Sequence, residues 1–371
     1  MKKVKIGVIG CGMISEVYMK NIKDRFGNME LVSCADLLPE AAKKRAKQFH
    51  IKACSVEELL SDPEIEIVLN LTIPQEHAKI SMQALKAGKC AYSEKPLATD
   101  WEEGEELITY ARGHQLLIGS APDTFLGDGL QQVRRMLERG DIGKPFAAQA
   151  FMLSRGPEHF HPNPAPFYQA GAGPMLDWGP YYITTLVALF GPASKVSGAG
   201  KNVFPKRKVL SQNSPKYGEE FKVEVPTYIT ALIEFKSGML VTLTLTFDLK
   251  NAYWESNMPY IQIYGTDGVI NVPDVNKFEG PIEIRRDGKE TERIAVEGYF
   301  TENCRGMGLA EMAHALRTGE PFRTDGQLGR HVSEIMLGIL ESVESGEPYT
   351  LRSTCRQPEM LPDNLTGKMY E

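Results

Sequence analysis

The sequence predicts an α/β protein with two domains: an N-terminal, doubly wound parallel sheet, followed by a C-terminal α+β domain with a large, mostly antiparallel, open sheet. Three observations support this prediction. Short apolar strands alternate with helical segments in the first third of the chain, which is typical of βαβ units. After Ser120 the chain becomes a series of strands separated by tight turns. With 371 residues, it also exceeds the ~250–300 residues at which single cores stop growing.

The N-terminal elements carry sequence signals for their own ends. Ser55 is predicted to cap a helix, and Gly88 follows a helix at the position of a C-terminal cap. Thr99 and Glu102 have the spacing of a capping box. The predicted strands are Val4–Ile9, Leu31–Ala35, Ile65–Leu71, Cys90–Tyr92 and Leu116–Gly119, and the predicted helices are Met13–Phe26, Pro39–Phe49, Val56–Leu60, Gln75–Ala87 and one that begins at Thr99.

The C-terminal elements are mainly strands joined by hairpins. Asp267-Gly268 and Asp287-Gly288 are tight-turn dipeptides, and alternating threonines in Gly238–Phe247 indicate a sheet with one open face. The domain boundary is placed at Ala121-Pro122, which separates residues 1–121 from 122–371. The predicted strands are Phe146–Leu153, Val223–Phe235, Gly238–Phe247, Pro259–Tyr264, Val269–Val272, Ile282–Arg286 and Arg293–Val296, and the predicted helices are Leu130–Arg139, Met175–Phe190, Thr301–Thr318 and Gln327–Ser345.

Composition and charge exclude several classes of partner. The net charge is −6, with acidic and basic residues interspersed, so the chain lacks the basic stripe of a nucleic-acid-binding protein. No apolar run approaches the ~20 residues of a membrane span, and the N-terminus lacks the features of a signal peptide. The six cysteines are scattered without metal-site spacing, which predicts reduced thiols, no metal and a cytoplasmic protein.

A glycine-rich turn, Gly10-Cys11-Gly12-Met13-Ile14-Ser15, lies between the first strand and the first helix. This context is typical of a Rossmann dinucleotide site, in which Gly10 permits the turn and Gly12 lets the backbone approach the pyrophosphate. The helix N-terminus, with Met13 and Ile14, would present its N–H groups to the phosphates. The alternative is a glycine-rich turn that binds no ligand.

Asp36 makes the dinucleotide interpretation more specific. It follows the second strand, about 20 residues beyond the turn, where the ribose hydroxyls are bound in such domains. A carboxylate there repels the additional phosphate of NADP, so the predicted cofactor is NAD, with NADP less favoured. Leu37 and Leu38 supply no arginine to offset this repulsion, although Lys43–Arg45 is close in sequence.

Beyond this turn, the chain resembles the Gfo/Idh/MocA oxidoreductases (glucose–fructose oxidoreductase, inositol dehydrogenase and relatives) nearly from end to end. The segments that carry the resemblance are the phosphate turn, Asn70-Leu71-Thr72-Ile73-Pro74-Gln75-Glu76-His77, Glu94-Lys95-Pro96, Gly171-Ala172-Gly173-Pro174-Met175-Leu176-Asp177-Trp178-Gly179 and Ile263-Tyr264-Gly265-Thr266-Asp267-Gly268. The resemblance implies an NAD-dependent enzyme in which Thr72, Pro74, His77 and Glu94 line the nicotinamide half of the cofactor site.

Lys95 is the first candidate catalytic residue. The resemblance implies that it contacts both the substrate hydroxyl and the nicotinamide ribose. Its position after the predicted strand Cys90–Tyr92 places it at the carboxyl edge of the sheet, where ligands bind. A lysine in a closed cleft has a lowered pKa and exchanges protons near neutrality. The alternative is an ordinary surface lysine.

Asp177 and Tyr181 form the second candidate pair. The family motif places an aspartate and, four residues later, a histidine in the substrate site; this chain keeps Asp177 but has Tyr181 in place of the histidine. A tyrosine, with an ordinary pKa of ~10, is a poor base unless a cation such as Lys95 favours its anion. Tyr181 is therefore either part of a proton-handling pair with Lys95 or a hydroxyl that shapes the site.

His161 is a substitute for the missing histidine. It lies in the proline-rich loop Glu158–Pro164, and histidine is the usual acid–base residue near neutral pH. His159, His161 and Asp177 could also be interpreted as metal ligands. Their spacing matches no established site, so no metal is predicted.

Three further residues are candidates for substrate binding. Asp123 lies at the domain junction, where the family often has an arginine, and would accept hydrogen bonds from sugar hydroxyls. Tyr168 and Trp178 would stack on a sugar face. The alternatives are a helix cap for Asp123 and core packing for the aromatic rings.

These features together predict an NAD-dependent dehydrogenase that interconverts a secondary hydroxyl and a ketone on a sugar, glycoside or cyclitol. The alternatives are a dihydrodiol or imine reductase on the same scaffold, or a dinucleotide-binding regulatory protein without catalysis. Because one face of the C-terminal sheet requires a cover, a homodimer or homotetramer is also expected.

Overall fold

The computed structural model describes residues 2–250, 258–362 and 365. The chain forms two compact units, each built from segments that are distant in sequence. The first unit comprises Met1–Gln131, Glu297–Ser333 and Pro358–Glu371, and the second comprises Gln132–Val296 and Glu334–Gln357.

The first unit is built on a six-stranded sheet, counted within the described residues, in the order β3-β2-β1-β4-β5-β6. Every strand pair in it is parallel, which confirms the predicted N-terminal sheet. The strand order reverses between β1 and β4, and ligands bind at such a switch point. The strands are β1 (Val4–Ile9), β2 (Met29–Ala35), β3 (Lys52–Ala53), β4 (Ile67–Asn70), β5 (Cys90–Ser93) and β6 (Ile118–Ser120).

The helices between these strands begin and end largely where local signals predict. Ser55 and Glu58 form a capping box, with both reciprocal hydrogen bonds present. The predicted box at Thr99 and Glu102 is wrong, because the carboxylate of Asp100 accepts the cap hydrogen bond from the backbone N–H of Glu103. The helices are α1 (Met13–Asp24), α2 (Pro39–Phe49), α3 (Val56–Ser61), α4 (His77–Lys86) and α5 (Trp101–Gly113).

The second unit is built on a nine-stranded sheet in the described part of the chain. All its pairs are antiparallel except β7 with β12, which confirms the predicted mostly antiparallel sheet. Its strands are β7 (Pro145–Leu153), β8 (Ala193–Lys201), β11 (Tyr228–Phe235), β12 (Leu240–Thr246), β13 (Ile261–Gly265), β14 (Gly268–Val272), β15 (Ile282–Arg286), β16 (Glu292–Ile294) and β17 (Tyr349–Thr350); β9 (Lys206–Lys208) pairs separately with β10 (Glu220–Lys222).

The sequence did not predict β8 at all. Gly198 and Gly200 weaken its strand pattern, but the packing requires at least the first of them, because a Cβ at Gly198 would lie 2.8 Å from the carbonyl oxygen of Ile339. The predicted strand Val223–Phe235 is also too long, since β11 begins only at Tyr228. Pro226, which has no N–H to donate to a sheet, precedes that start.

The remaining helices are α6 (Asp128–Glu138), α7 (Gly173–Phe190), α8 (Met307–Thr318) and α9 (Gly326–Ser345). Helix α7 packs on β11 and β12. Helix α8 begins six residues later than the predicted helix Thr301–Thr318. Its start directly follows Gly306, whose φ of 101° is the left-handed conformation that glycine adopts most readily.

The residues on the other face of β11 and β12 are largely exposed. Along β11, the side chains of Tyr228, Thr230 and Leu232 are exposed and alternate with buried neighbours. Leu240 and Thr242 are the exposed counterparts on β12. This alternation is the pattern of a sheet with one open face, as predicted.

The structure also bears on the predictions about the cysteines and about membrane helices. All six cysteines are free thiols, while the predicted cytoplasmic location stays a prediction. None of the described helices is both long and apolar enough to cross a bilayer.

Candidate active site

The glycine turn after β1 is held by close packing. Gly10 has a φ of 101°, and a Cβ on it would lie 2.5 Å from the carbonyl carbon of Leu71. Gly12 differs, because a Cβ there would meet no atom within 4 Å. The conformation and packing of the turn therefore require glycine at position 10, whereas the space beside Gly12 is open.

The N-terminus of α1 faces this turn without a side-chain cap. Gly12 occupies the N-cap position, so the first N–H groups of the helix, which begins with Met13 and Ile14, receive no side-chain acceptor. Such a helix end, carrying partial positive charge, is suited to a phosphate group. The residues present thus fit the pyrophosphate of a dinucleotide.

Asp36 is fixed at the end of β2 by two backbone donors. Its carboxylate accepts hydrogen bonds from the N–H groups of Cys11, at 2.7 Å, and Leu38, at 2.8 Å. The side chain is half-buried. The sheet thus holds the carboxylate beside the glycine turn, where a ribose diol would be bound.

Arg45 is one of the three basic residues, Lys43–Arg45, that lie close in sequence to Asp36 and could have accepted the phosphate of NADP. It is buried, and its guanidinium is engaged elsewhere: it donates to Ser15 Oγ at 3.0 Å, to the Gly12 carbonyl at 3.1 Å and to Glu16 at 2.7 Å. These contacts stabilise the glycine turn. Because they occupy the guanidinium of Arg45, they favour NAD over NADP.

A cavity of about 620 Å³ lies beside the turn. Three apolar side chains near it are unusually exposed: Leu37 at 94%, Leu38 at 67% and Ile73 at 62%. Apolar surface of this kind, at a cavity, indicates a binding site. The cavity is lined by Ile9, Gly10, Gly12, Asp36, Leu37, Leu38, Val56, Leu71, Thr72, Ile73, Glu76, Lys79, Ile80 and Gln83.

Thr72, which lines this cavity, is held in place by Asn70. The sequence analysis did not predict this role of Asn70. Asn70, the buried last residue of β4, accepts hydrogen bonds from the Thr72 hydroxyl at 2.7 Å and from its N–H at 3.3 Å. The Asn70 amide donates to the His77 carbonyl at 2.9 Å. The segment from Thr72 to His77, including the turn that begins at Pro74, is therefore tied to the end of the sheet.

His77 supports the site from beneath rather than lining it. Its ring is buried, with Nδ1 2.7 Å from the Pro96 carbonyl oxygen and Nε2 3.1 Å from the Thr72 carbonyl oxygen. Burial lowers its pKa. A neutral ring has one N–H and donates to only one of the two carbonyls. This placement corrects the expectation of direct cofactor contact and gives His77 the role of linking the Thr72 and Pro96 segments.

Glu94 is likewise buried beside Lys95. Its carboxylate accepts the hydroxyl of Tyr18 at 2.8 Å and the backbone N–H of Lys95 at 3.0 Å. Tyr18 lies on α1, so the dinucleotide helix and the Glu94–Pro96 segment share a buried hydrogen bond. Tyr18 could not be predicted from the sequence, because a buried tyrosine in a helix resembles an ordinary core residue.

Asp123 has a different role from the one predicted. It is buried, and its carboxylate accepts hydrogen bonds from the N–H groups of Gly306 at 2.8 Å and Gly308 at 3.1 Å. Burial raises its pKa to about 6. Asp123 thus caps the start of α8, and its engaged carboxylate gives no support to sugar binding.

In the second unit, α7 carries both Asp177 and Tyr181. They are one helical turn apart and hence on one face of the helix. Asp177 and Trp178 are half-buried, whereas Tyr181 is buried, with its ring centroid 6.1 Å from that of Trp178. Helix α7 has Pro180 in its interior, and nearly its whole length is buried.

His161 lies in the loop that precedes α7, and its ring is half-buried. Its Nδ1 accepts a hydrogen bond from the backbone N–H of Asn163 at 3.1 Å. In the neutral ring the proton is therefore on Nε2, so the free edge of His161 is a donor. This arrangement suits a hydrogen-bond donor to a ligand better than a proton acceptor.

Tyr168 is a core residue rather than a substrate-stacking one. Its ring is fully buried against Phe221 and Phe247, and its hydroxyl donates to the buried carboxylate of Glu158. Arg207 pairs with Glu158 and with Asp248 in the same cluster. The network fixes the loop that contains His161, and the Tyr168 ring has no free face for a sugar.

Two family models match the chain. The model of the oxidoreductase family with an NAD-binding Rossmann fold, GFO/IDH/MocA, matches residues 4–121, and that of the GFO/IDH/MocA C-terminal domain matches residues 130–271.

Two of the similar curated proteins are dehydrogenases of different substrates. An inositol 2-dehydrogenase/D-chiro-inositol 3-dehydrogenase from Lactiplantibacillus plantarum is 30% identical over 146 residues, which cover 38% of this chain and 41% of that enzyme. A trans-1,2-dihydrobenzene-1,2-diol dehydrogenase from Bos taurus is 23% identical over 348 residues, 91% of this chain and 95% of that one.

Among solved structures, the apo form of levoglucosan dehydrogenase is similar to this chain, with a TM-score of 0.81 and 19% sequence identity. The alignment covers 96% of this chain and 100% of the levoglucosan dehydrogenase chain. The same enzyme is also known in complex with NADH and L-sorbose. At this level of identity, the likeness shows the fold.

The two glycines of the turn predict different effects on binding and stability. Gly10→Ala would force a Cβ against Leu71 in a left-handed conformation, so we expect both a lower melting temperature and lost NADH binding. Gly12→Ala meets no protein atom, so we expect near-normal stability but at least about tenfold weaker NADH binding, equal to ~1.4 kcal/mol. Thermal unfolding and a fluorescence titration with NADH measure both. Unchanged NADH affinity in Gly12→Ala would contradict the proposed pyrophosphate position.

Proposed function

The chain belongs to the GFO/IDH/MocA family of NAD-binding oxidoreductases, and from this premise we propose that it interconverts a secondary hydroxyl and a ketone on a sugar, glycoside or cyclitol. The observation that carries the proposal is the cavity beside Gly12 and Asp36, together with Lys95 on the buried Glu94. Relatives named for inositol and 1,5-anhydro-D-fructose support a polyhydroxylated substrate.

NAD supplies a hydride acceptor, or as NADH a hydride donor. In this proposal, the glycine turn and Asp36 hold the cofactor, and the anchored Thr72 segment limits its movement. Lys95 contacts the reacting hydroxyl and stabilises the oxygen as its proton leaves. Asp177 orients the ring by accepting hydrogen bonds from neighbouring hydroxyls.

The proton acceptor is proposed to be Tyr181. A hydroxyl at this helix position occupies the place of the family histidine. His161 is the less favoured candidate, because the lone pair of Nδ1 already accepts the Asn163 N–H. Trp178 is retained as a substrate-facing aromatic residue, since its ring is half-buried.

A dihydrodiol dehydrogenase is the second candidate function. It is favoured by the similarity to the bovine dihydrodiol enzyme, which spans nearly the whole of both chains. A regulatory protein without catalysis is less well supported, because the chain keeps both Lys95 and Asp177.

We also propose that the protein is a homodimer or homotetramer assembled through the open face of the nine-stranded sheet. Leu232 and Leu240, on neighbouring strands, are 37% and 49% exposed on that face. A continuous polar row crosses it as well, since Gln262 donates to Asn271 at 2.8 Å, and Asn271 to Glu283 at 3.1 Å. A sheet face that mixes apolar and hydrogen-bonding groups is suited to a second copy.

A substrate panel tests the proposed activity. We expect NADH absorbance to appear when the protein is incubated with NAD and one or more sugars, glycosides or cyclitols, and Lys95→Met to reduce kcat by roughly 10²–10⁴-fold. NADH binding should change only a few-fold in this variant. Lys86→Met, which removes an exposed lysine at the end of α4, is the matched control.

Two outcomes would contradict the proposal. If no polyol is oxidised but trans-dihydrodiols are, the second candidate is correct. If NADH binds and no substrate of either class reacts in either direction, the protein is not the proposed enzyme.

The proton acceptor can be identified from pH profiles. We expect Tyr181→Phe to lower kcat for oxidation and to remove the rise of kcat with pH, because a proton acceptor acts only when it is deprotonated and the variant lacks the titrating hydroxyl. His161→Gln should retain both the profile and most of the activity. The reverse pattern would assign the proton transfer to His161.

The open sheet face predicts the oligomeric state. We expect the wild-type protein to elute as a dimer or tetramer in size-exclusion chromatography with light scattering at micromolar concentration. Leu232→Glu combined with Leu240→Glu should shift it toward monomer, because buried unpaired charges are costly. Leu210→Glu, at an exposed leucine outside this sheet, is the control. A monomeric wild-type protein would overturn the assembly proposal.

A further inference from the structure

A buried hydrogen bond joins the dinucleotide helix α1 to the segment that carries Lys95. The hydroxyl of Tyr18, on α1, donates to Glu94 Oε1 at 2.8 Å, and Glu94 Oε2 accepts the backbone N–H of Lys95 at 3.0 Å. Tyr18 is fully buried, and Glu94 is 8% exposed. On the premise that Lys95 acts in the proposed dehydrogenase, we propose that Tyr18 is a positioning residue, which holds Lys95 at a fixed position relative to the bound cofactor.

The carboxylate of Glu94 connects the tyrosine to the lysine, because each of its two oxygens accepts from a different donor. The Tyr18 hydroxyl occupies one oxygen, and the Lys95 N–H occupies the other. A shift of the carboxylate therefore moves the peptide between Glu94 and Lys95. Hydrogen bonds to a charged group are stronger than those between neutral groups, and they are costly to lose in a buried place.

Other contacts anchor the Lys95 segment to different elements. The Glu94 N–H donates to the carbonyl of Asn70, at the end of β4, at 2.8 Å. The Pro96 carbonyl oxygen lies 2.7 Å from Nδ1 of His77, at the start of α4. These contacts fix the backbone on both sides of the lysine to β4 and α4, whereas the tyrosine hydroxyl fixes it to α1.

Helix α1 is the element that would face the cofactor phosphates. It begins at Met13, directly after the glycine turn, and it also contains Tyr18. Hydride transfer requires the reacting groups to be held in a close and defined geometry, and a displacement of about 1 Å can reduce the rate ~10²-fold. A hydrogen bond from this helix to the segment with the lysine thus keeps the cofactor and the lysine in a constant geometry.

The tyrosine is suited to this role by its burial. Its ring lies close to Gly306, before the start of α8, where an added Cβ would be 3.6 Å from Tyr18 Cδ1. Burial also raises the pKa of Tyr18 well above its ordinary value, so the hydroxyl stays protonated and remains a donor. A phenylalanine would keep the ring but lose this donor. The alternative is that Tyr18 only stabilises the core, and kinetic measurements separate the two roles.

Steady-state kinetics with a substrate from the panel test the role of Tyr18. We expect Tyr18→Phe to lower kcat about 10–100-fold, because Lys95 is no longer held, while the KM for substrate and the Kd for NADH change less than about threefold. Tyr92→Phe is the matched control and should leave kcat unchanged, since it removes an equally buried hydroxyl that is not bonded to Glu94. A matching loss of NADH affinity in Tyr18→Phe would assign the residue to the cofactor site and overturn the proposal.

A double variant separates an effect through Lys95 from a general effect on the fold. Residues that act as a unit are non-additive, so Tyr18→Phe should lower kcat no further when it is combined with Lys95→Met. If the two losses multiply, Tyr18 acts independently of Lys95, and the proposal is wrong.

Chemical modification gives a readout that needs no turnover. The dinucleotide-free protein is acetylated with N-hydroxysuccinimidyl acetate, and mass spectrometry gives the ratio of modified Lys95 to modified Lys86, an exposed reference. This ratio should rise at least about threefold in Tyr18→Phe, because a segment with fewer anchors opens more often. An unchanged ratio overturns the proposal. If the ratio rises but no substrate reacts with the wild-type protein, the proposed sugar chemistry is wrong and the positioning of Lys95 by Tyr18 is retained.

Discussion

The close approach of the Gly10 backbone to the end of β4 is the constraint on which the first unit depends. It brings the turn after β1 against Leu71, directly before the segment anchored by Asn70. The phosphate end of the site and the Thr72 segment therefore rest on the same pair of adjacent parallel strands. Arg45 and Tyr18 stabilise this arrangement from α2 and α1 with buried polar contacts.

Local signals predicted the parts of the molecule whose conformation is determined locally. The glycine turn, the helix cap at Ser55 and the buried strand β4 all depend on neighbours in sequence, and all are present. Strand β8 was missed because one of its glycines, Gly198, is required by a distant helix, which a local pattern cannot reveal. The predicted cap at Thr99 was wrong because Thr99 and Asp100 are adjacent and both residue types are good helix caps. A sequence pattern alone does not choose between them.

The site residues also divide into those that local sequence predicts and those whose role depends on distant contacts. Asp36 could be placed by its distance from the turn, since βαβ geometry fixes that spacing. His77, Glu94, Asp123 and Tyr168 are polar or aromatic residues near the expected site, and all four are buried beneath it or in the core. Only burial separates a group that contacts a ligand from one that holds such a group in place, and burial depends on contacts from segments far away in sequence.

The margins of the large sheet have a consequence for how the protein behaves at high concentration. Its two outermost strands, β16 and β17, are three and two residues long in the described chain. They therefore expose few unpaired backbone N–H and C=O groups, and β16 includes Glu292 and Arg293. Such short edges, one of which is charged, resist the addition of further strands, which is the route to fibrous aggregates.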